Sequence, residues 1–483
     1  MSRRILFVGM QSSIHVARWI EMVCRRPWDL HVFPLNDYDP NPNLRAVNVH
    51  WPTLAPMPAY TVPEAEQKSE PSSDLPVADR IIRFAGLMAS DPDEALRRIR
   101  NRWPWPSSVG PPKPLTTTPW YASADELGVS GLDGSGTIRL GESDAAAPAL
   151  YGPGVLAALV RRLKPDLIHS MEFQHAGYLV LRARELYGAG FPPWLATNWG
   201  SDIFYFSRFA DHHAQIKRLL ATIDFYSCEC KRDLALARQL GYRGRAFSSI
   251  PNSGGFDLAH VMSLRSGEPP SRRKLLMIKG YEHFAGRAMT ALRVLETFSE
   301  QLKSYRVVLF SPSEQPWKRA LELKERGVLD IEVLTATPHD EILARFGRSR
   351  IYMGISISDA ISTSALEAMA MGAFPIQTNT SCCDEWFQDE EGGFLVPPDN
   401  YDVICDRFHR ALTDDALVDR AADANWKTVQ TRLDQRLLAP QAVAIYDKIF
   451  SAIRWNRVAS GFRQLFSGAP KVPDRSDRAS TLN

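Results

Sequence analysis

No stretch of this 483-residue chain approaches the roughly 18 consecutive apolar residues of a membrane span. Nor does it open on a secretory leader: MSRRILFVGM runs straight into a strand-like segment, which predicts a cytoplasmic protein. Charge of one sign is missing too. Lys and Arg number 57 against 55 Asp and Glu, a net of +2, so no bulk electrostatic case for nucleic-acid binding exists. Cysteine is sparse, and the six residues (Cys24, Cys228, Cys230, Cys382, Cys383 and Cys405) include no two pairs at zinc spacing. They are expected to be reduced thiols, with no metal site. Neither the dinucleotide fingerprint GxGxxG nor a Walker loop occurs. No internal repeat is visible.

What is present is the composition of a globular protein, 45% apolar and 23% charged, in a chain long enough for two or three domains. Short apolar strands alternate with helical patterns in two halves, which predicts parallel, doubly wound sheets. The first half spans 1–262. It opens with the strand RILFVG at 4–9, a glycine loop at 9–13 and a helix over 12–25. Further strands are expected at 30–34, 47–51, 167–169, 194–197 and 225–227. Residues 52–150, rich in Pro, Ser, Gly and Thr around an amphipathic pattern at 77–102, read as an insertion. A polar linker follows at 263–273. The second half, 274–455, has strand candidates at 274–278, 306–310, 331–334, 351–354 and 374–377. Thr337-Pro338-His339-Asp340 fits a capping box with Pro at the first helical position. Residues 456–483 are a tail.

The most informative segment is SDAISTSALEAMAM, residues 358–371. Asp359 falls in the loop after a buried-strand pattern, and Glu367 falls about a turn and a half into the next helix. Ser362, Thr363 and Ser364 group at the helix start. Free N–H groups and the helix dipole make such a turn an anion site. The carboxylates beside it can accept hydrogen bonds from sugar hydroxyls. Together they suggest a nucleotide-sugar.

The run ISISDAISTSALEAMAMGAFPIQTNTSCCDEWFQDEEGGFLVPPDN resembles the Glu-x7-Glu motif and following turns of the retaining GT-B glycosyltransferases, group 1 or family 4. The resemblance implies two Rossmann-like domains with a cleft between them. It also implies a nucleotide-sugar donor, a saccharide or lipid-linked acceptor, and no cofactor or metal for donor binding. By it, Glu367 binds the donor ribose. Asp359 takes the place of the motif's first glutamate beside the donor sugar, one methylene shorter. Lys279 and Arg287 resemble the family's basic pair for the diphosphate, in reversed order. Gly9 lies in the loop that approaches the donor phosphates, and His15 and Arg18 on the next helix reach towards the cleft. Thr337 belongs to the loop that meets the base, and Thr363 and Ser364 add hydrogen bonds at the helix tip.

Pro165–His169 resembles the family's strand-His element, but Met171 stands where many members have a second His. That leaves Glu172 first, and His175 second, to face the anomeric carbon. Asp202, in NWGSD, orients an acceptor hydroxyl or caps a helix. Three functions stay open at this point: a retaining transferase acting in polysaccharide or glycolipid synthesis, a nucleotide-sugar 2-epimerase of the same fold, and a degenerate sugar-nucleotide-binding partner. The basic segment 454–466 either rests on the inner face of a membrane or packs on the first domain as a terminal helix.

Overall fold

The computed structural model describes residues 2–54, 115–122, 150–335 and 337–467. The first domain runs Arg4–Gly9 (β1), Ile14–Val23 (α1), Asp29–Pro34 (β2), Asn48–Leu54 (β3), Thr116–Ala122 (β4), Pro153–Leu163 (α2), Leu167–Met171 (β5) and Tyr178–Tyr187 (α3). It continues with Trp194–Thr197 (β6), Ser201–Phe204 (α4), Ala210–Thr222 (α5), Phe225–Ser227 (β7), Lys231–Gln239 (α6) and Arg245–Ala246 (β8). The strands pair in parallel in the order β4-β3-β2-β1-β5-β6-β7-β8.

The second domain comprises Leu258–Leu264 (α7), Leu275–Lys279 (β9), Ala288–Thr297 (α8), Arg306–Phe310 (β10), Glu314–Glu325 (α9), Ile331–Leu334 (β11), His339–Gly347 (α10), Ser349–Gly354 (β12) and Thr363–Met371 (α11). Phe374–Thr378 (β13), Phe394–Val396 (β14), Tyr401–Thr413 (α12), Asp415–Arg432 (α13) and Gln435–Ser467 (α14) complete the described chain. Its sheet is also parallel, ordered β11-β10-β9-β12-β13-β14. Strand order reverses beside β1 in one sheet and beside β9 in the other. Loops at the carboxyl ends of strands flanking such a switch point splay apart and leave a crevice for ligand.

The strands are apolar because helices cover both faces of each sheet. All five residues of β5 are buried, and so is all of β12. Helix α1 buries Val16, Ala17, Trp19, Ile20, Met22 and Val23 on one face, held at its start by Ser13, whose side chain caps the His15 N–H. Each fully buried large side chain of this kind contributes about 1.5–3 kcal/mol.

Two crossings join the domains side by side. On the outward pass Asp257 caps α7, accepting from the N–H groups of Ala259 and His260. On the return, Phe256 N–H donates to Leu433 O at 2.6 Å, and Gln435 N–H donates to Phe256 O at 3.0 Å. Gly255, at φ +72°, sits where a Cβ would lie 2.5 Å from Leu433 O, so only glycine lets these segments meet. Helix α14 then packs on the first domain: Leu438, Ala442, Ile445, Tyr446 and Ile449 join the core of α1 and β1. Tyr446 OH meets Trp19 Nε1 and His169 Nδ1, each at 2.7 Å.

Several details differ from the sequence expectation. The 52–150 stretch contains β4, a sheet-edge strand that tolerates Pro119 because an edge needs fewer ladder bonds. The helix expected at 77–102 lies outside the described residues. The stretch read as a linker at 263–273 begins inside α7, which packs on α10 and α11, and Arg273 is buried, donating to the Ser349 and Met371 carbonyls. Pro338 occupies the cap position of α10 rather than its first turn, and no side chain caps it. Helix α14 runs on to Ser467, so the terminal helix continues well past 455. Trp455 is 73% exposed on it. The side chains of 456–466 lie outside the described residues. Among the described residues no helix is long and apolar enough to cross a membrane.

Candidate active site

Lys279 ends β9, and the loop behind it folds against the loop after β12. Arg287 N–H donates to Ile355 O at 2.9 Å and Ile357 N–H to Ala285 O at 2.8 Å. This lacing brings Lys279, Arg287 and Asp359 to one wall. Asp359 is partly buried; burial pushes its carboxyl up, while Lys279, the Ala360 N–H and Arg232 pull it back down. Its Oδ1 accepts from Ala360 N–H at 2.9 Å. Lys279 Nζ lies 4.7 Å from the Tyr281 ring centre. Arg287 spends one nitrogen, Nη1, on the His283 and Gly286 carbonyls. Its Nε and Nη2 hydrogens are left for a ligand. Both cations hold the His283 imidazole down, after burial. Next in the chain is the tip of α11, whose cap residue Ser362 makes no side-chain cap bond. The first N–H groups of α11 therefore stay open to an anion, flanked by Thr363 and the nearly buried Ser364.

Glu367 is 5% exposed and accepts from His339 Nε2 at 2.7 Å. That nitrogen also lies 3.4 Å from Arg18 Nη2, so a chain of polar groups links the domains. Thr337 sits just before α10, two residues from His339. His15, on the first turn of α1, has its ring centre 5.3 Å from that of Trp199, with the planes tilted by 52°. Burial, with Arg18 and Lys279, lowers its pKa to about 4, against the opposing pull of Glu367. It is a neutral imidazole at pH 7, and its buried Nδ1 has no hydrogen-bond partner. Gly9 ends β1, where a Cβ would lie 3.2 Å from Val16 Cγ2.

The first-domain acids are placed differently. Glu172 has φ +88° and ψ +151°, a region nearly confined to glycine. Its carboxylate turns back to accept from the N–H groups of Gln174, His175 and Ala176, and His175 Nδ1 lies 3.2 Å away. Asp202 is 3% exposed, and its oxygens accept from Trp199 N–H (2.8 and 2.9 Å) and Phe173 N–H (3.1 Å). Burial and the Glu172 charge push its carboxyl well up. Asp202 lies inside α4, whose cap residue Gly200 has no side-chain cap bond, so its carboxylate does not cap that helix; it ties the 199–202 turn to the 172–173 turn.

The domains meet directly at this wall. Gly200, at φ +89°, lies so close to Ala360 that a Cβ would come within 2.1 Å of its backbone nitrogen. Ser201 Oγ and Ser358 Oγ are 2.9 Å apart. Arg232 donates to the carbonyls of Asp359 and Thr380, each at 2.7 Å. A cavity of ≈ 680 Å³ lies between the domains, bordered by Arg18, Glu21, His339 and Leu343. A larger one, ≈ 1180 Å³, is bordered by Arg4, Asp29 and Asp166 at the amino ends of the strands. The former adjoins the Arg18–His339 contact, but Lys279, Arg287, Asp359 and Glu367 do not line it.

Residues 272–428 match the family described as glycosyl transferases group 1, and residues 147–227 match the glycosyl transferase 4-like family. The second domain is thus a group 1 glycosyltransferase domain. No curated protein matches its sequence. Among solved structures, a sucrose-phosphate synthase from Thermosynechococcus elongatus superposes with TM-score 0.60 at 15% identity, over 93% of this chain and all (100%) of that one. The α,α-trehalose 6-phosphate synthase of Burkholderia multivorans gives 0.57 at 13% identity, over 95% and 99%. Anabaena HepE, solved with UDP and glucose, gives 0.56 at 11%, over 92% and 99%. These likenesses establish the GT-B fold of the glycosyltransferase.

In this transferase, Lys279, Arg287, Asp359 and the α11 tip, which the sequence singled out, lie together on one wall, with Glu367 further along α11. Sequence reasoning missed the contacts between domains. His339 stands inside a motif that reads as a cap, and Arg232 and Gly200 lie far in sequence from the loop they touch. The single glycine of the NWGSD turn is the one local feature that suits such close backbone approach.

Proposed function

We propose that the protein is a retaining glycosyltransferase that moves a sugar from a nucleotide-diphosphate sugar to a hydroxyl of a saccharide or lipid-linked acceptor, in polysaccharide or glycolipid synthesis. The observation that carries this reading is the grouping of Lys279, Asp359 and the open tip of α11 on one wall of the cleft. As the bond from the anomeric carbon to the phosphate oxygen breaks, charge grows on the diphosphate. Lys279, the free Arg287 hydrogens and the α11 N–H groups are fixed where they would stabilise it, with no reorganisation during the step. Asp359 would accept from a hexose hydroxyl. Glu367, backed by His339, would hold the ribose. The acceptor oxygen bonds to the anomeric carbon on the face the phosphate leaves, and its proton passes to the departing phosphate oxygen. His15, neutral and with Nδ1 unspent, would orient a sugar hydroxyl. Glu172 shapes its turn in this reading instead of facing the anomeric carbon.

The test is a panel of nucleotide sugars screened first by thermal shift, since a ligand that binds only the native state raises its melting temperature. The stabilising donor is then incubated with saccharide and lipid-linked acceptors. A product with retained anomeric configuration by NMR supports the proposal. An epimerised donor with no acceptor product, or tight binding without turnover, defeats it. Liposome sedimentation with and without residues 454–483 tests the lipid-linked branch, which predicts loss of membrane binding in the shortened chain.

A further inference from the structure

The fold assembles a thiol cluster that neither cysteine pair could form alone. Cys230 caps α6 in the first domain, while Cys382 and Glu385 follow β13 in the second. Their two sulfurs and a carboxylate oxygen all lie within 4.8 Å of one another. Cys230 is 0% exposed and Cys382 4%. The neighbouring thiols turn elsewhere: Cys228 Sγ lies 3.2 Å from Cys230 O, and Cys383 Sγ lies 3.3 Å from Ser381 Oγ. Cys382 holds a left-handed backbone, φ +48°. Glu385 is oriented from across the interface, since Lys231 N–H donates to its Oε1 at 2.7 Å. Such support of a ligating carboxylate is what a metal site requires. The nearby Arg232 has its charge matched by Asp233 at 2.9 Å.

The spacing suits one ion in particular. A tetrahedral zinc with Zn–S bonds of about 2.3 Å holds its sulfurs about 3.8 Å apart. A closure of about 1 Å across the triangle therefore brings all three groups onto the metal. Two thiolates and a carboxylate suit a borderline-soft dication better than magnesium or calcium. We propose that Cys230, Cys382 and Glu385 bind zinc across the domain interface, with water in the fourth position. Binding releases both thiol protons to solvent and forms two Zn–S bonds and one Zn–O bond. Because the ligands come from both domains, the ion is held only when the domains are closed, and it fastens the Arg232 face onto the Asp359 loop.

The experiment uses the full chain, with zinc or cobalt(II) as the probe. Purified protein given zinc and freed of excess by gel filtration is expected to retain about one equivalent, counted by plasma mass spectrometry. Cobalt(II) is expected to give a thiolate charge-transfer band. Cys230→Ser and Cys382→Ser each lose that band and the retained zinc, whereas Cys405→Ser keeps both. Bound zinc is also expected to protect Cys230 and Cys382 of the unsubstituted protein from alkylation, mapped by peptide mass spectrometry. This readout stands if a variant fails to fold. Only trace zinc, a cobalt band unchanged in both variants, equal alkylation with and without zinc, or a Cys230–Cys382 disulfide in the isolated protein would each overturn the proposal.

Discussion

Four acids stand at the carboxyl ends of the two sheets, and the domains use them in opposite ways. In the first domain Glu172 and Asp202 accept chiefly from backbone N–H groups of their own and adjoining turns, with the exposed His175 side chain 3.2 Å from Glu172 as well. In the second, Asp359 takes a single backbone N–H and lies in the field of Lys279, while Glu367 pairs with a histidine side chain. An acid saturated by amides is a fixed part of the chain path. An acid held by side chains keeps lone pairs for a ligand, and its partners can yield. The contrast teaches that residue type and position at a strand end do not by themselves leave a carboxylate open to a ligand; what already satisfies it decides.

Substitutions can break this contrast, and Lys279→Ala is expected to do most. Losing a fixed charge at the leaving group should lower kcat by about 10²–10³-fold, read as nucleoside diphosphate release, with little change in melting temperature. Glu367→Ala should come next. Removing a charged acceptor costs about 1.5–3 kcal/mol, to be seen as weaker donor binding in calorimetry. Asp202→Ala should show the reverse pattern. It strands buried N–H groups at Trp199 and Phe173, so urea denaturation should show about 1–3 kcal/mol lost while donor affinity holds. If Asp202→Ala abolished donor binding and left stability intact, the contrast between the two domains would fail.

A pH experiment sharpens the same contrast from the core side. Burial drives the His169 pKa down to about 3, between Tyr446 OH and Thr197 Oγ1. Between that value and its unfolded value of about 6.5, the unfolded chain binds the extra proton. Its contribution to stability is therefore complete above about 6.5 and falls as pH falls. The raised acids Asp202 and Asp359 act oppositely, since the folded form keeps their protons as pH rises past the unfolded value. Comparing the parent with His169→Asn isolates the histidine. The parent should lose roughly 1–2 kcal/mol more than the variant between pH 7 and pH 5 in urea titrations. Asp359→Glu should have the smallest effect, a few-fold change in donor preference or rate on a donor panel. Identical behaviour with every donor would remove Asp359 from the sugar.

The two sheets were legible because each strand is a short, fully buried apolar run followed by a helical pattern, as at 4–9 and 274–278. The candidate wall could be proposed from the sequence because its residues lie close along the chain: Lys279 with Arg287, and Asp359 with Glu367. β4 escaped because an edge strand carrying threonines and a proline has the composition of a loop. Gly255 announced a turn, but its partner Leu433 had no local signal. The same holds for Cys230 with Cys382 and for Arg232 with the Asp359 carbonyl. Such contacts depend on how the domains dock, and no window of sequence contains both members.

The paired crossings at Phe256 and Leu433 have a mechanical consequence. A single connecting strand would let one domain swing, twist and slide on the other. Two strands bonded to each other behave as one pin, and α14 anchors the return strand in the first-domain core. Motion about such a pin is a rotation with a fixed axis. Any opening that parts Gly200 from Ala360 would then follow a single arc about that pin.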